Sequence, residues 1–167
     1  MSDEERIKAI EARFDALDEG RDGKMKPAEF KVLYDDLEGR ETTREESDIM
    51  FRGIDIDGSG EITKKEFMDM VNAIVKKDEK YQYKMIFRAF DKDRSRSIDV
   101  NEIIAIQKFR GKEVTKEEVQ KFLLEETGKS TGKLNFALFY KCLTGKFTPK
   151  ETDPYDGMLK SKCCLLI

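Results

Sequence analysis

An all-α protein of four helix–loop–helix units in two lobes is the fold the sequence predicts, and three observations predict it. The first is a repeat. Polar loops begin at Asp18, Asp55, Asp91 and Thr127, in steps of 37, 36 and 36 residues, and a fixed period of that length marks repeated supersecondary units. The second is the apolar pattern ahead of each loop. Phe14, Phe51, Phe87 and Leu123 stand four places before the loop starts, on segments whose apolar residues recur at steps of three and four, as on one face of a helix. The third is an apolar residue at the eighth place of every loop: Met25, Ile62, Ile98 and Leu134. Neighbouring loops can pair there as a β ladder two residues wide.

In chain order, Ile7, Ile10, Phe14 and Leu17 define the first helix. It runs into residues 18–29, where Asp18, Asp22, Gly23 and Glu29 hold the first, fifth, sixth and twelfth places. Gly20 supplies no side chain at the third place and Lys26 puts a cation at the ninth, so both a weak ion site and a plain turn remain open. Pro27 falls in the first turn of the second helix, where its missing N–H costs little. Phe30, Leu33, Tyr34 and Leu37 follow, and the helix ends near Gly39. Thr43-Arg44-Glu45-Glu46 is a capping box opening a third helix with Ile49, Met50, Phe51 and Ile54 inside. After the next loop, Phe67, Met70, Val71, Ile74 and Val75 make the fourth. The charged run Lys76–Lys80 then interrupts the pattern and bounds a first lobe at residues 1–77. A continuous and a hinged helix across it are both compatible with the sequence.

Residues 55–66 carry the clearest chemistry. Asp55, Asp57 and Glu66 occupy the first, third and twelfth places and Ser59 the fifth; Gly60 sits where the chain must turn, and Glu61 offers its backbone carbonyl at the seventh. A hard cation such as calcium takes six to eight oxygens at about 2.3–2.6 Å, and a twelve-residue loop with this spacing supplies them. A plain acidic turn needs neither the distant glutamate nor the apolar eighth residue.

The second lobe, residues 78–143, repeats the scheme. Tyr83, Ile86, Phe87 and Phe90 lead into residues 91–102, with Asp91, Asp93, Ser95, the Ser97 carbonyl, Asp99 and Glu102 as candidate ligands. Arg96 departs from the pattern where glycine is expected: a left-handed backbone there costs a non-glycine residue about 1–2 kcal/mol. Ile103, Ile104, Ile106 and Phe109 continue to Gly111, and Thr115-Lys116-Glu117-Glu118 caps a helix carrying Val119, Phe122 and Leu123. The fourth loop, residues 127–138, keeps Gly132 and Leu134 but has Thr127, Lys129 and Leu138 in place of acids, so it is expected to be structural.

The spacing and the phenylalanines resemble the calmodulin-like EF-hand family over residues 5–143. The resemblance implies two lobes of paired helix–loop–helix units, calcium as the cofactor (two ions expected, with one to three allowed), and an apolar groove exposed when calcium opens a helix pair. Met50, Met68, Met70 and Met85 suit such a groove; core filling is the better account of any one of them, and the four together near the two good loops favour the groove.

Composition narrows the function further. Histidine is absent, which removes histidine-based nucleophile pairs and metal sites, and no enzyme activity is expected. Gly128-Lys129-Ser130-Thr131 imitates the end of a phosphate loop, but Leu123 stands where that loop needs glycine and the preceding segment reads as helix. Net charge is −3 with 40% charged residues and no basic face, so nucleic acid is not an expected partner. No signal peptide, disulfide framework or membrane-spanning helix is expected, and a monomer in a reducing, cytosolic setting fits.

From residue 144 the periodicity stops. Gly145, Pro149, Pro154 and Gly157 scatter among charges, and residues 144–167 read as a flexible tail, about twenty residues of which would reach about 25 Å. It ends Cys163-Cys164-Leu165-Leu166-Ile167, whose last four residues match the C-a-a-X prenylation pattern with Cys164 as acceptor and Cys163 as a palmitoylation candidate. The expected function is a calcium sensor tethered to the cytosolic face of a membrane, relaying to a target protein or its amphipathic helix. A calcium buffer, a regulatory subunit without calcium-driven opening, and a structural protein with ion-free loops are the alternatives.

Overall fold

A computed structural model describes residues 1–156, which hold eight helices and one two-stranded sheet. They group into two compact units that divide between Met85 and Ile86.

The first unit holds α1 (Asp3–Leu17), β1 (Lys24–Met25), α2 (Pro27–Glu38), α3 (Arg44–Ile54), β2 (Ile62–Thr63), α4 (Lys64–Val75) and the first half of α5 (Glu79–Phe90). The second holds the rest of α5, then α6 (Val100–Phe109), α7 (Lys116–Thr127) and α8 (Phe136–Thr144). The helix starts repeat one device. Ser2, Thr43, Thr63, Asp99 and Thr115 each cap the backbone N–H of a glutamate three places on, and that glutamate bonds back to the cap. Each such cap is worth about 1 kcal/mol. Gly39, Gly128 and Gly145 close α2, α7 and α8 in the left-handed conformation that needs no Cβ. The turn between α2 and α3 is fastened by Asp35, whose Oδ1 accepts from the Thr42 N–H and hydroxyl at 2.8 and 2.6 Å.

The eighth-place residues pair as expected. Met25 lies opposite Ile62 in the antiparallel β1–β2 ladder, and Ile98 exchanges both backbone bonds with Leu134 at 2.8 and 2.9 Å. All four side chains are buried. They sit among the phenylalanines that flank the loops: Phe14 and Phe67 with ring centroids 5.1 Å apart and Phe30 edge-on to Phe51 at 5.6 Å in the first unit, Phe87 edge-on to Phe136 and Phe139 at 5.7 and 5.2 Å in the second. Such pairs add about 0.5–1.5 kcal/mol to their burial.

The helix is interrupted, not continuous: α4 stops at Val75, Lys77 takes a left-handed φ of 55°, and the Asp78 N–H returns to the Ala73 carbonyl at 2.8 Å. The charged run is a solvated turn inside the first unit, because Tyr81 and Met85 beyond it still pack on the first core. The described part of the expected flexible tail is also ordered. Tyr155 is buried, so residues 145–156 belong to the second unit; an aromatic ring with cationic neighbours outweighs the proline and glycine content that suggested a linker. Phe67→Ala removes a fully buried ring from the first core and is expected to cost about 3–5 kcal/mol, read from urea unfolding of the metal-free protein.

Candidate metal centres

Loop 2 (residues 55–66) is strung between two helix ends. Asp55 is the C-cap of α3, its N–H bonded to the Phe51 carbonyl at 2.9 Å, and Glu66 lies in the first turn of α4. Backbone donors aim the carboxylates. Asp55 Oδ2 accepts from the Gly60 N–H at 3.0 Å and Oδ1 from the Ser59 N–H at 3.1 Å, while Glu66 Oε1 accepts from the N–H groups of Ile56 and Asp57 at 3.0 and 3.3 Å. The Ser59 hydroxyl donates to the Glu61 carbonyl at 2.9 Å, so the fifth- and seventh-place oxygens adjoin. Gly58 and Gly60 take φ of 66° and 81°, which lets the chain curl round this centre.

The result is a crowd of like charges. One oxygen each of Asp55, Asp57 and Glu66 lies within 4.8 Å of the others. Asp55 and Glu66 are 6% and 3% exposed, so water does little to relieve the repulsion. Burial, with Asp57 and Glu66 adding to it against the Gly60 and Ser59 donors, pushes the Asp55 carboxyl up to about 6. Two oxygens on opposite sides of a calcium ion are about 5 Å apart. The donor set, all oxygen, and its spacing therefore fit Ca2+.

Loop 3 (residues 91–102) reproduces this plan. Oxygens of Asp91, Asp93 and Glu102 converge within 4.8 Å, Asp91 is 1% exposed, and the Ser95 hydroxyl donates to the Ser97 carbonyl at 2.9 Å. Burial, with Asp99 and Asp91 adding to it, raises the Glu102 carboxyl. Asp99 does not join the converging set. It is the N-cap of α6, and its Oδ1 is turned to the Glu102 N–H at 2.9 Å, because the ninth place of the loop is also the start of the helix. Arg96 adopts the predicted left-handed φ, 62°, and so does Arg94, at 54°.

The sequence reading missed what surrounds this loop. The Tyr155 hydroxyl donates to Asp91 Oδ2 at 2.8 Å, and burial, helped by that carboxylate, pushes the phenol well above its ordinary range. Arg94 and Arg96 lie over the Tyr155 ring at 4.5 and 5.3 Å, and Arg96 Nε donates to Asp153 at 3.2 Å. No spacing rule joins residues so far apart in sequence; the one available signal was two arginines in a loop that wants an anionic or aromatic neighbour.

In loop 1 (residues 18–29) Asp18 is buried and its Oδ1 has no hydrogen-bond partner, yet Asp18, Asp22 and Glu29 do not converge as the other two sets do. In loop 4 (residues 127–138) the Thr127 hydroxyl fills the interior, donating to the Leu123 carbonyl at 2.6 Å and leaving no acidic centre. A Cβ added at Gly132 would meet that hydroxyl at 1.9 Å. Cys163 and Cys164 lie outside the described residues.

Three outcomes follow from loop 2. Glu66→Gln is expected to bind one ion fewer than the parent in calorimetric calcium titration. Calcium affinity at this loop is expected to fall as pH drops through about 6, where a proton competes for Asp55. In the metal-free protein the sign reverses. The folded carboxyl holds its proton more tightly than the unfolded chain, whose carboxyl titrates near ~3.9, so stability falls as pH rises from about 4 to about 6. Thermal melts with and without a chelator check both signs.

Known sequences give the same reading of the chain. Family models of an EF-hand domain pair match residues 21–74 and residues 80–143. Over 145 residues the chain is 29% identical to calcium-binding protein SPEC 2C of Strongylocentrotus purpuratus, covering 86% of this chain and 95% of that protein. It is 30% identical over 135 residues to probable calcium-binding protein CML13 of Oryza sativa subsp. japonica (80% and 79% covered). It is 32% identical over 136 residues to caltractin of Naegleria gruberi (81% and 77% covered). With its paired loops, its two converging carboxylate sets and these matches over both halves, the chain belongs to the EF-hand family.

Proposed function

We propose that this chain is a calcium-responsive regulator whose first unit offers an apolar groove to a helical segment of a target protein. The observation that carries the reading is the position of that groove between the two helices that loop 2 joins. A cavity of about 220 Å³ has Met50 and Ile54 of α3 and Met70 and Ile74 of α4 in its walls, with Ile10 and Phe30 opposite. Bound calcium supplies the counter-charge that lets three carboxylates share one centre. Asp55 ends α3 and Glu66 begins α4, so any shift of either carboxylate turns the helix that carries it and alters the groove's width. Leu37 and Ile74 are already 40% and 46% exposed at the groove, apolar surface that a partner helix would cover. Met50 and Met70 border the groove while belonging, with Met68 and Met85, to the first core and its packing, and their flexible thioethers adapt to differently shaped partners. The names of the relatives, calcium-binding proteins and a caltractin, support the calcium half of this reading.

The same proposal places the regulator on the cytosolic face of a membrane. Its support is the pattern Cys164-Leu165-Leu166-Ile167, with a prenyl group on Cys164 and a palmitoyl group on Cys163 as second anchor. One lipid chain holds a protein marginally and two signals hold it stably.

An environment-sensitive dye is expected to brighten on calcium addition as the groove opens. A flat response with full calcium uptake would identify a buffer instead. Prenylated protein is expected to partition into liposomes where a Cys164→Ser form stays in solution; equal partitioning would remove the anchor.

A further inference from the structure

We infer that Tyr155 and Asp153 are positioning residues for the metal centre of loop 3, an outer shell that fits an arginine-bearing loop to a cation. The inference rests on the reading of loop 3 as a calcium site and adds to it a requirement from outside the loop and its flanking helices.

The segment is held by contacts that all concern the loop or the helix entering it. The Tyr155 hydroxyl donates to Asp91 Oδ2 at 2.8 Å, beside the Arg96 N–H at 3.0 Å on the same oxygen, while Oδ1 accepts from the Ser95 N–H at 2.9 Å. Two donors on one oxygen fix the rotation of the first-place carboxylate, one oxygen of which lies in the converging set. Loop 2 sets Asp55 the same way, with Gly60 and Ser59 as the backbone donors. Arg88, 2% exposed on α5, donates from Nη1 to the Pro154 carbonyl at 2.7 Å and locks the segment at its centre.

The second part of the device concerns charge. Loop 2 has Gly58 and Gly60 at its two left-handed places, and loop 3 has Arg94 and Arg96 at the same places. Two guanidinium groups beside the loop oppose a cation electrostatically. Here both are drawn over the face of the Tyr155 ring, at 4.5 and 5.3 Å, and Arg96 is paired with Asp153 at 3.2 Å. Asp153 Oδ1 also accepts from the Tyr155 N–H at 2.9 Å, so the ion pair and the ring position are one unit. A ring face attracts cations and a carboxylate neutralises them, and both act outside the coordination sphere. Since docking of residues 153–155 favours metal uptake, metal uptake favours docking by the same factor.

The test uses the full chain with Glu66→Gln in the background, so that calorimetry reports loop 3 alone. Adding Tyr155→Phe keeps the stacked ring and removes the hydroxyl; affinity is expected to fall about tenfold, the scale of an outer-shell loss. Adding Asp153→Asn lowers it in the same direction. Terbium supplies a spectroscopic readout. The chain has no tryptophan, and the Tyr155 hydroxyl touches a loop 3 carboxylate, so emission excited through tyrosine is expected to fall in Tyr155→Phe. Amide exchange at Tyr155 is expected to slow when calcium is added. Unchanged affinity in Tyr155→Phe overturns the inference, and tighter binding overturns it too, by identifying the contact as a block. If Glu102→Gln leaves the ion count of the parent chain unchanged, loop 3 is not a site, and the inference falls together with the reading beneath it.

Discussion

Repulsion among three carboxylates held in one small space is the constraint on which the rest of this molecule depends. The backbone enforces it. N–H groups of the loop itself point at Asp55 and Glu66 and hold their oxygens close together, in a place where Asp55 and Glu66 are almost wholly removed from solvent. Carboxylates in such surroundings either take up protons or find a cation. The same glutamate is also the third residue of the capping box that opens α4, with Oε2 accepting from the Thr63 N–H and hydroxyl at 2.9 and 2.7 Å. One side chain therefore serves the helix start and the ion centre, and neither can be rearranged without disturbing the other. A local change of charge thereby becomes a change of helix geometry.

Pairing explains why loops with poor ligands persist. Loop 1 gives loop 2 the strand β1, and Met25 and Ile62 meet in the core beneath both. Loop 4 gives loop 3 the Leu134 backbone in the same way. Without its partner each competent loop would expose an unpaired edge and a buried-type apolar residue. In loop 4 a fixed internal bond stands in for an ion, with a threonine hydroxyl where the first acid would be.

Periodicity made most of this legible. Apolar steps of three and four, the capping pairs at Thr43 and Thr115, and the repeat of the loops are local signals, and local signals place helices, ladders and the converging sets of loops 2 and 3. Other features depend on which force wins, which spacing does not record. Lys76–Lys80 breaks the apolar pattern, yet Tyr81 and Met85 after it carry enough apolar surface to stay with the first core. Asp99 stands at the ninth place of the loop, and its side chain also caps the helix beginning at Val100. Residues 145–156 were read as linker from their prolines, glycine and charges, whereas Tyr155 finds two arginines and a carboxylate that its neighbours in sequence do not reveal.

Loop 3 shows how an unfavourable local choice is carried by its surroundings. Two arginines in left-handed conformation cost about 1–2 kcal/mol each relative to glycine. Their positive charge also works against a centre built to attract one. The contacts with residues 153–155 change the sign of the problem. A guanidinium is weakly hydrated and stacks readily on an aromatic face, which glycine cannot do. The arginines thus become the attachment points for the segment that follows α8, and the strain they introduce is part of what holds that segment in place. A glycine-bearing loop would be easier to form and would have nothing to attach. On this view the second unit is completed by residues 153–155, well beyond α8.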